Sequence, residues 1–335
     1  MGDFQLNAAL RETPEYRKAY EQTAARAIEA GQEEVKRTLR SLSVAEFLAL
    51  DLKPREMVLD PIIPTQGLVM VHAVRGVGKT YVGIGGGYAT AAKGTFLRWT
   101  APKPRRVLFV DGELPAATLQ ERIARQVQGV EVEPPDPGYF RIITPDLQEQ
   151  GIPDLSLPEG QQAIEEHLGD VDLLILDNLS TLCRSGKENE AESWQPLQDW
   201  LLSLRRHGLS VLLFHHGGKG GTQRGTSKRE DILDTVICLR RPADYDPEQG
   251  ARFEVHYEKA RGLYGPAAAP FEAKLTMENG SPVWTCTDIE VAVTERVAEF
   301  LQEGLSQRTI AKELGVSLGT VNTHVKRAKQ RGLVK

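Results

Sequence analysis

Short apolar runs, each bounded by turn residues and separated by stretches of helical period, fill the middle of the chain at residues 67–71, 106–110, 138–143, 173–176 and 211–214. Runs of this length that do not alternate with polar residues are strands buried on both faces. Their alternation with helical segments predicts a parallel sheet covered by helices on both sides. The flanks read differently. Residues 12–42 carry a thin stripe (Tyr16, Tyr20, Ala24, Ile28, Val35, Leu39, Leu42) on a charged background, which predicts a long helix with little to bury in its own domain. A short amphipathic helix over residues 44–50, capped by Ser43, follows, and Pro54, Pro61 and Pro64 break the chain before the first core run. Asn279-Gly280 predicts a hairpin that closes the α/β region. From Thr294 the pattern is helical only. Val297, Phe300 and Leu301 form one stripe, Ser306 caps a helix over 308–314 that Gly315 ends, and Ser317 caps a third over 318–331 with Val321, Val325 and Ala328 inward. The expected organisation is a helical arm (1–42), an α/β core (43–290) and a small all-α unit (291–335).

Composition narrows the class. The 335 residues are 40% hydrophobic and 26% charged, the profile of a soluble globular protein. No apolar run approaches the ~20 residues that span a bilayer, and the N-terminus lacks a basic segment followed by an apolar one. Cys183, Cys238 and Cys286 are scattered and odd in number, which fits neither a disulfide framework nor a metal spacing. These features predict a cytoplasmic protein with no membrane partner. The net charge of −5 does not announce a nucleic-acid binder. Residues 322–335, however, hold Lys326, Arg327, Lys329, Arg331 and Lys335 with no carboxylate, a local basic footprint that the average conceals.

The chemistry starts at Ala73-Val-Arg-Gly-Val-Gly-Lys79-Thr80, directly after the first core run. A strand that ends in a glycine-rich loop and opens into a helix is how a P-loop wraps phosphates with backbone N–H groups. Lys79 reaches the β- and γ-phosphates, and the Thr80 hydroxyl ligates Mg²⁺. The cradle comprises Ala73, Arg75, Gly76, Val77, Gly78, Lys79, Thr80 and Tyr81; Ala73 stands where a glycine is usual and fits if its φ stays negative. The run at 171–177 ends in Asp177, where an NTPase places the carboxylate that holds hydrated Mg²⁺. The run before Asp111-Gly-Glu113 delivers Glu113 to the same edge, either placed to polarise the attacking water or a solvated loop carboxylate, with Asp111 as the competing choice and more simply a structural partner. A strand also delivers His215 and His216, which alternation sends to different faces. The glycine-rich basic segment behind them, with Lys219 and Arg224, suits a nucleic-acid backbone or is a plain surface loop. Lys259 and Arg261 share one face of a strand end, either as a salt-bridged surface or as a pair that reaches the γ-phosphate of a neighbouring subunit.

On these motifs, residues 43–290 resemble a RecA-type ATPase core, most closely the plasmid- and phage-encoded hexameric helicases of the RepA type, relatives of the DnaB helicases. The resemblance rests on the Ala73–Thr80 loop, the strand ending Asp111-Gly-Glu113, Asp177-Asn178, and the segment His215-His216…Arg224-Gly-Thr226-Ser227…Glu230-Asp231. It implies a RecA-like P-loop NTPase fold, ATP with Mg²⁺, Glu113 as catalytic base, and His216 (alternatively His215) as γ-phosphate sensor. It also implies Lys259 and Arg261 as intersubunit fingers, a hexameric ring of identical chains, and single-strand-binding loops near Arg184–Lys187 and Gly217–Arg224. The C-terminal unit resembles a helix-turn-helix of the LuxR or winged kind. Thr320, Asn322, Thr323 and Lys326 would then face the major groove and Arg327 and Lys329 the phosphates. The chain stops at Gly332-Leu-Val-Lys335, where a wing would begin. The expectation is an ATP-driven DNA helicase or, in the alternative, an ATP-switched DNA-binding regulator.

Overall fold

The computed structural model describes residues 39–185, 191–217, 230–278 and 281–334, and the chain divides into two compact units, Met1–Pro54 and Arg55–Lys335. Most of the expected long helix lies outside the described residues. Its last part, 39–42, is not helical. The reason is Ser43, whose extended backbone (φ −66°, ψ 162°) turns its hydroxyl onto the Glu46 N–H, while the Glu46 carboxylate accepts from the Ser43 N–H at 2.7 Å. This reciprocal cap opens a helix at Val44–Leu48 and cannot form inside a continuing one.

The second unit is built on nine strands: β1 (Leu68–Ala73), β2 (Val107–Asp111), β3 (Phe140–Ile143), β4 (Leu173–Asp177), β5 (Ser210–His216), β6 (Thr235–Arg240), β7 (Arg252–Ala260), β8 (Phe271–Glu278) and β9 (Ser281–Asp288). They lie in the order β9-β8-β7-β6-β1-β5-β4-β2-β3. Strands β1 to β6 run parallel to one another, and β7, β8 and β9 extend the sheet from β6 as an antiparallel meander. The α/β, mostly parallel sheet expected from the apolar runs is present. Strands β8 and β9 pair on either side of Asn279-Gly280, which lies outside the described residues.

Alternation along the strands divides the core. Val69, Val71, Leu212 and Phe214 face helices α1 (Lys79–Ala92) and α2 (Ala116–Gln128). Leu68, Met70, Val211 and Leu213 face α3 (Pro158–Glu165) and α4 (Ala191–Arg206). The C-terminal helices α5 (Ile289–Gln302), α6 (Gln307–Glu313) and α7 (Leu318–Gln330) enclose a small core of Val297, Ile310, Leu314, Val321 and Val325. Ser306 and Ser317 cap α6 and α7 by accepting from Thr309 and Thr320 N–H. No helix among the described residues is long and apolar enough to cross a membrane.

Candidate nucleotide site and DNA-binding face

Strand β1 ends at Ala73 in extended backbone, and the loop that follows turns through Gly76 (φ 77°) and Gly78 (φ 129°) before α1 begins at Lys79. The positive φ of Gly78 demands glycine, and a Cβ there would also stand tight, 3.1 Å from the Phe253 ring. Lys79 is buried, its ammonium donating to the Ala73 and Val74 carbonyls at 3.3 and 3.4 Å. Burial pushes its pKa down, against the pull of Asp177 and Glu113. Val77 is buried and Arg75 exposed, while the Tyr81 ring meets Trp284 edge-on and lies under Arg122.

Strands β2 and β4 are neighbours, with Asp111 opposite Asp177. Burial pushes Asp177 up to about 6 although Thr80 hydrogen-bonds its carboxylate, and its Oδ2 is buried with no hydrogen-bond partner. Burial likewise raises Asp111 to about 7, while its Oδ2 accepts from Leu114 N–H at 2.9 Å and so shapes the turn that carries Glu113. The Glu113 carboxylate accepts from the Asn178 side-chain amide and lies 3.7 Å from His216 Nε2. His216 Nδ1 is 3.0 Å from the Lys79 ammonium. Lys79, His216, Glu113 and Asn178 thus form one continuous polar line across the carboxyl ends of β1, β5, β2 and β4. His216 is the residue that joins it. His215, the alternate expected for that role, lies on the opposite face of β5, on the side of Leu213 and Val211, because neighbours on a strand alternate.

This arrangement fits MgATP. The partnerless Asp177 oxygen beside the Thr80 hydroxyl suits Mg²⁺, and the glycine turn that opens α1 is the kind whose backbone N–H groups hold phosphate oxygens. Bound there, Mg²⁺ would neutralise charge on the β- and γ-phosphates. The Glu113 carboxylate stands at the same sheet edge, beside His216.

In the C-terminal unit, Asn322, Thr323, Lys326 and Lys329 are exposed on α7 and Thr320 is half-buried. The Thr320 hydroxyl is 2.8 Å from that of Ser317, within the helix cap, and Thr323 donates to the Gly319 carbonyl. Arg327 is paired with Glu290 at 2.9 Å. The freest polar groups on this face are therefore Asn322, Lys326 and Lys329.

A protein-family model described as "AAA domain" matches residues 32–222, more than half of the chain. The chain belongs to the AAA domain family. A second model, "Winged helix-turn-helix DNA-binding", matches residues 298–335. Among solved structures, a KaiC-like protein of the hyperthermophilic archaeon Pyrococcus horikoshii OT3 is similar at 15% identity and a TM-score of 0.46, over 68% of this chain and 93% of that one. No curated protein matches. The protein is thus an AAA-family P-loop ATPase with a helix-turn-helix of the DNA-binding kind.

Beyond the AAA domain match, Lys259 and Arg261 sit at the far end of the sheet. Ala260 pairs with Thr235 and Thr235 with Val69, about 13 Å of strand away from Ala73. Lys259 donates to the Glu230 carbonyl and Arg261 to that of Asp231 at 3.0 Å. Neither reaches the P-loop of its own chain. Arg184 is exposed, with one guanidinium nitrogen donating to the Ile152 carbonyl. Lys187, Lys219 and Arg224 lie outside the described residues. His72, Cys238 and Glu258 converge closely enough to suggest a cation, but Arg240 already donates to Glu258 at 3.0 Å and to Cys238 at 3.4 Å, filling that role. Sequence reasoning assigned no role to Asn178 or to Arg241, whose guanidinium donates to the Gly76 carbonyl at 3.1 Å. The apolar residues Val236–Leu239 just before Arg241 are the sequence signal that could have placed it at a strand end.

Proposed function

We propose that this protein is a ring-forming, DNA-stimulated ATPase, a replicative helicase of the RepA-like kind. The observation that carries the reading is the split of the charged machinery between two sheet edges. Lys79, Glu113, His216 and Asp177 stand at one edge, and Lys259 and Arg261 at the other, out of reach of their own nucleotide. A head-to-tail ring brings the second edge of one chain to the first edge of the next, where a cation can neutralise transition-state charge. His216 touches Lys79, lies beside Glu113, and ends the strand that leads into the basic segment with Lys219 and Arg224. That order suits relay of the γ-phosphate state to a DNA strand. The exposed Asn322, Lys326 and Lys329 favour a second reading, an ATP-switched regulator that holds duplex DNA.

The test is steady-state ATP hydrolysis with and without single-stranded DNA at fixed moderate salt, with Glu113→Gln as the blank. Stimulation of about tenfold, absent from the variant, supports the motor; general-base removal costs about 10²–10⁴-fold. A slow rate indifferent to single strands, with tight duplex binding, rejects the motor in favour of the regulator.

A further inference from the structure

The segment between β6 and β7 touches both the P-loop and the helix-turn-helix. At its start, Arg241 donates to the Gly76 carbonyl of the P-loop, and its guanidinium lies 4.4 Å over the Tyr245 ring. Between these residues, Asp244 accepts from Arg296 Nε of α5 at 2.6 Å. Asp244 also accepts from both terminal nitrogens of Arg252, at 3.1 and 3.2 Å. Arg252 is only 4% exposed and donates further to Glu272 on β8. That buried guanidinium pins the turn to the sheet. A Cβ on Gly315, in the turn that follows α6, would stand 3.3 Å from Ala243 Cβ. Next to Arg252, the Phe253 ring stands 3.1 Å from where a Cβ on Gly78 of the P-loop would be. Five consecutive residues thus meet the nucleotide loop at one end and the helix-turn-helix at two points.

We propose that Arg241 reports P-loop occupancy to the helix-turn-helix through the 242–245 turn, so that nucleotide and DNA alter each other's affinity. The inference rests on the functional reading above, in that both ligands must bind. In the structure Arg241 holds a neutral carbonyl. A polyphosphate in the loop offers the same guanidinium an anionic acceptor, a stronger and bidentate partner. Its departure from Gly76 shifts the stacked Tyr245 and strains the turn. Arg252 anchors Asp244 from behind, so the strain is passed forward to Arg296 and to the contact at Gly315. The two states differ in one named bond, and the reciprocal effect on nucleotide affinity follows from linkage.

The experiment measures anisotropy of a labelled random-sequence duplex, with and without Mg²⁺ and a non-hydrolysable ATP analogue, beside direct binding of a fluorescent ATP. Wild type, Arg241→Ala and Arg296→Ala are compared. In the wild type the analogue is expected to change duplex affinity about fivefold or more. In Arg296→Ala, which is remote from the phosphates, and in Arg241→Ala the ratio falls to near one while ATP still binds Arg296→Ala. A wild type that binds both ligands independently, or variants that keep the full ratio, overturns the linkage and leaves the ATPase reading standing. A wild type that binds neither ligand overturns both.

Discussion

Lys79 sits in the structure as its own counter-ligand, its ammonium held by the Ala73 and Val74 carbonyls beside His216. Nucleotide entry is then an exchange in which the ammonium trades carbonyl oxygens for phosphate oxygens, and the His216 ring, wedged between Lys79 and Glu113, feels the move first. The paired histidines offer a clean comparison. His216→Ala is expected to lower kcat at least about tenfold, some 1.4 kcal/mol of barrier, with ATP still bound. His215→Ala, which alters the opposite face, should lower the melting temperature and leave kcat within about twofold of the wild type. Equal kinetic effects of the two substitutions would remove His216 from the site. Rate and thermal-shift measurements on both variants decide it.

At the scale of elements, α1 is unusual in carrying Gly83, Gly85, Gly86 and Gly87 within its buried length. Each glycine costs a helix about 1 kcal/mol against alanine, so close packing must compensate. It does so at three of the four. Gly83 lies against Phe109 and Phe214, Gly87 against Ile175 and Phe140, and a Cβ on Gly85 would fall 2.2 Å from the Phe96 ring. Gly86 has only Leu59 Cδ2, at 3.4 Å. Gly85→Ala should therefore destabilise by about 1–3 kcal/mol through overpacking, whereas Gly86→Ala should be neutral or raise stability by up to about 1 kcal/mol. Denaturant midpoints of the two variants check the contrast. The same packing explains what the sequence made legible. Strands β1, β2, β4 and β5 are buried throughout and read as unbroken apolar runs, so they and the acids and histidines at their ends were visible. Strands β7, β8 and β9 mix buried and half-exposed positions without strict alternation, so β7 was legible only from the spacing of Lys259 and Arg261 and β8 and β9 only from the Asn279-Gly280 turn between them, while β6 went unread. Asn178 and Arg241 escaped notice for another reason. Their roles depend on β4 lying beside β2 and β6 beside β1, and strand order is written in no local pattern.

For the whole molecule, the separation of Arg261 from its own P-loop makes a sharp expectation. Glu113→Gln and Arg261→Ala chains should each be nearly inactive alone. Mixed, they should regain a measurable fraction of wild-type hydrolysis, because some boundaries pair an intact Glu113 with an intact Arg261. A mixture no faster than its components would exclude a shared site. The junction around Asp244 bears on a different question, that of modularity. A cut at residue 290, the seam that composition suggests, would remove Arg296 and leave Asp244 with Arg252 as its remaining guanidinium partner. It would also bare Ala243 where the α6–α7 turn now lies. The seam that carries the contacts of the C-terminal helices therefore lies within residues 241–252 and not at their own border. A chimera that keeps this footing carries residues 241–252 along with the C-terminal helices.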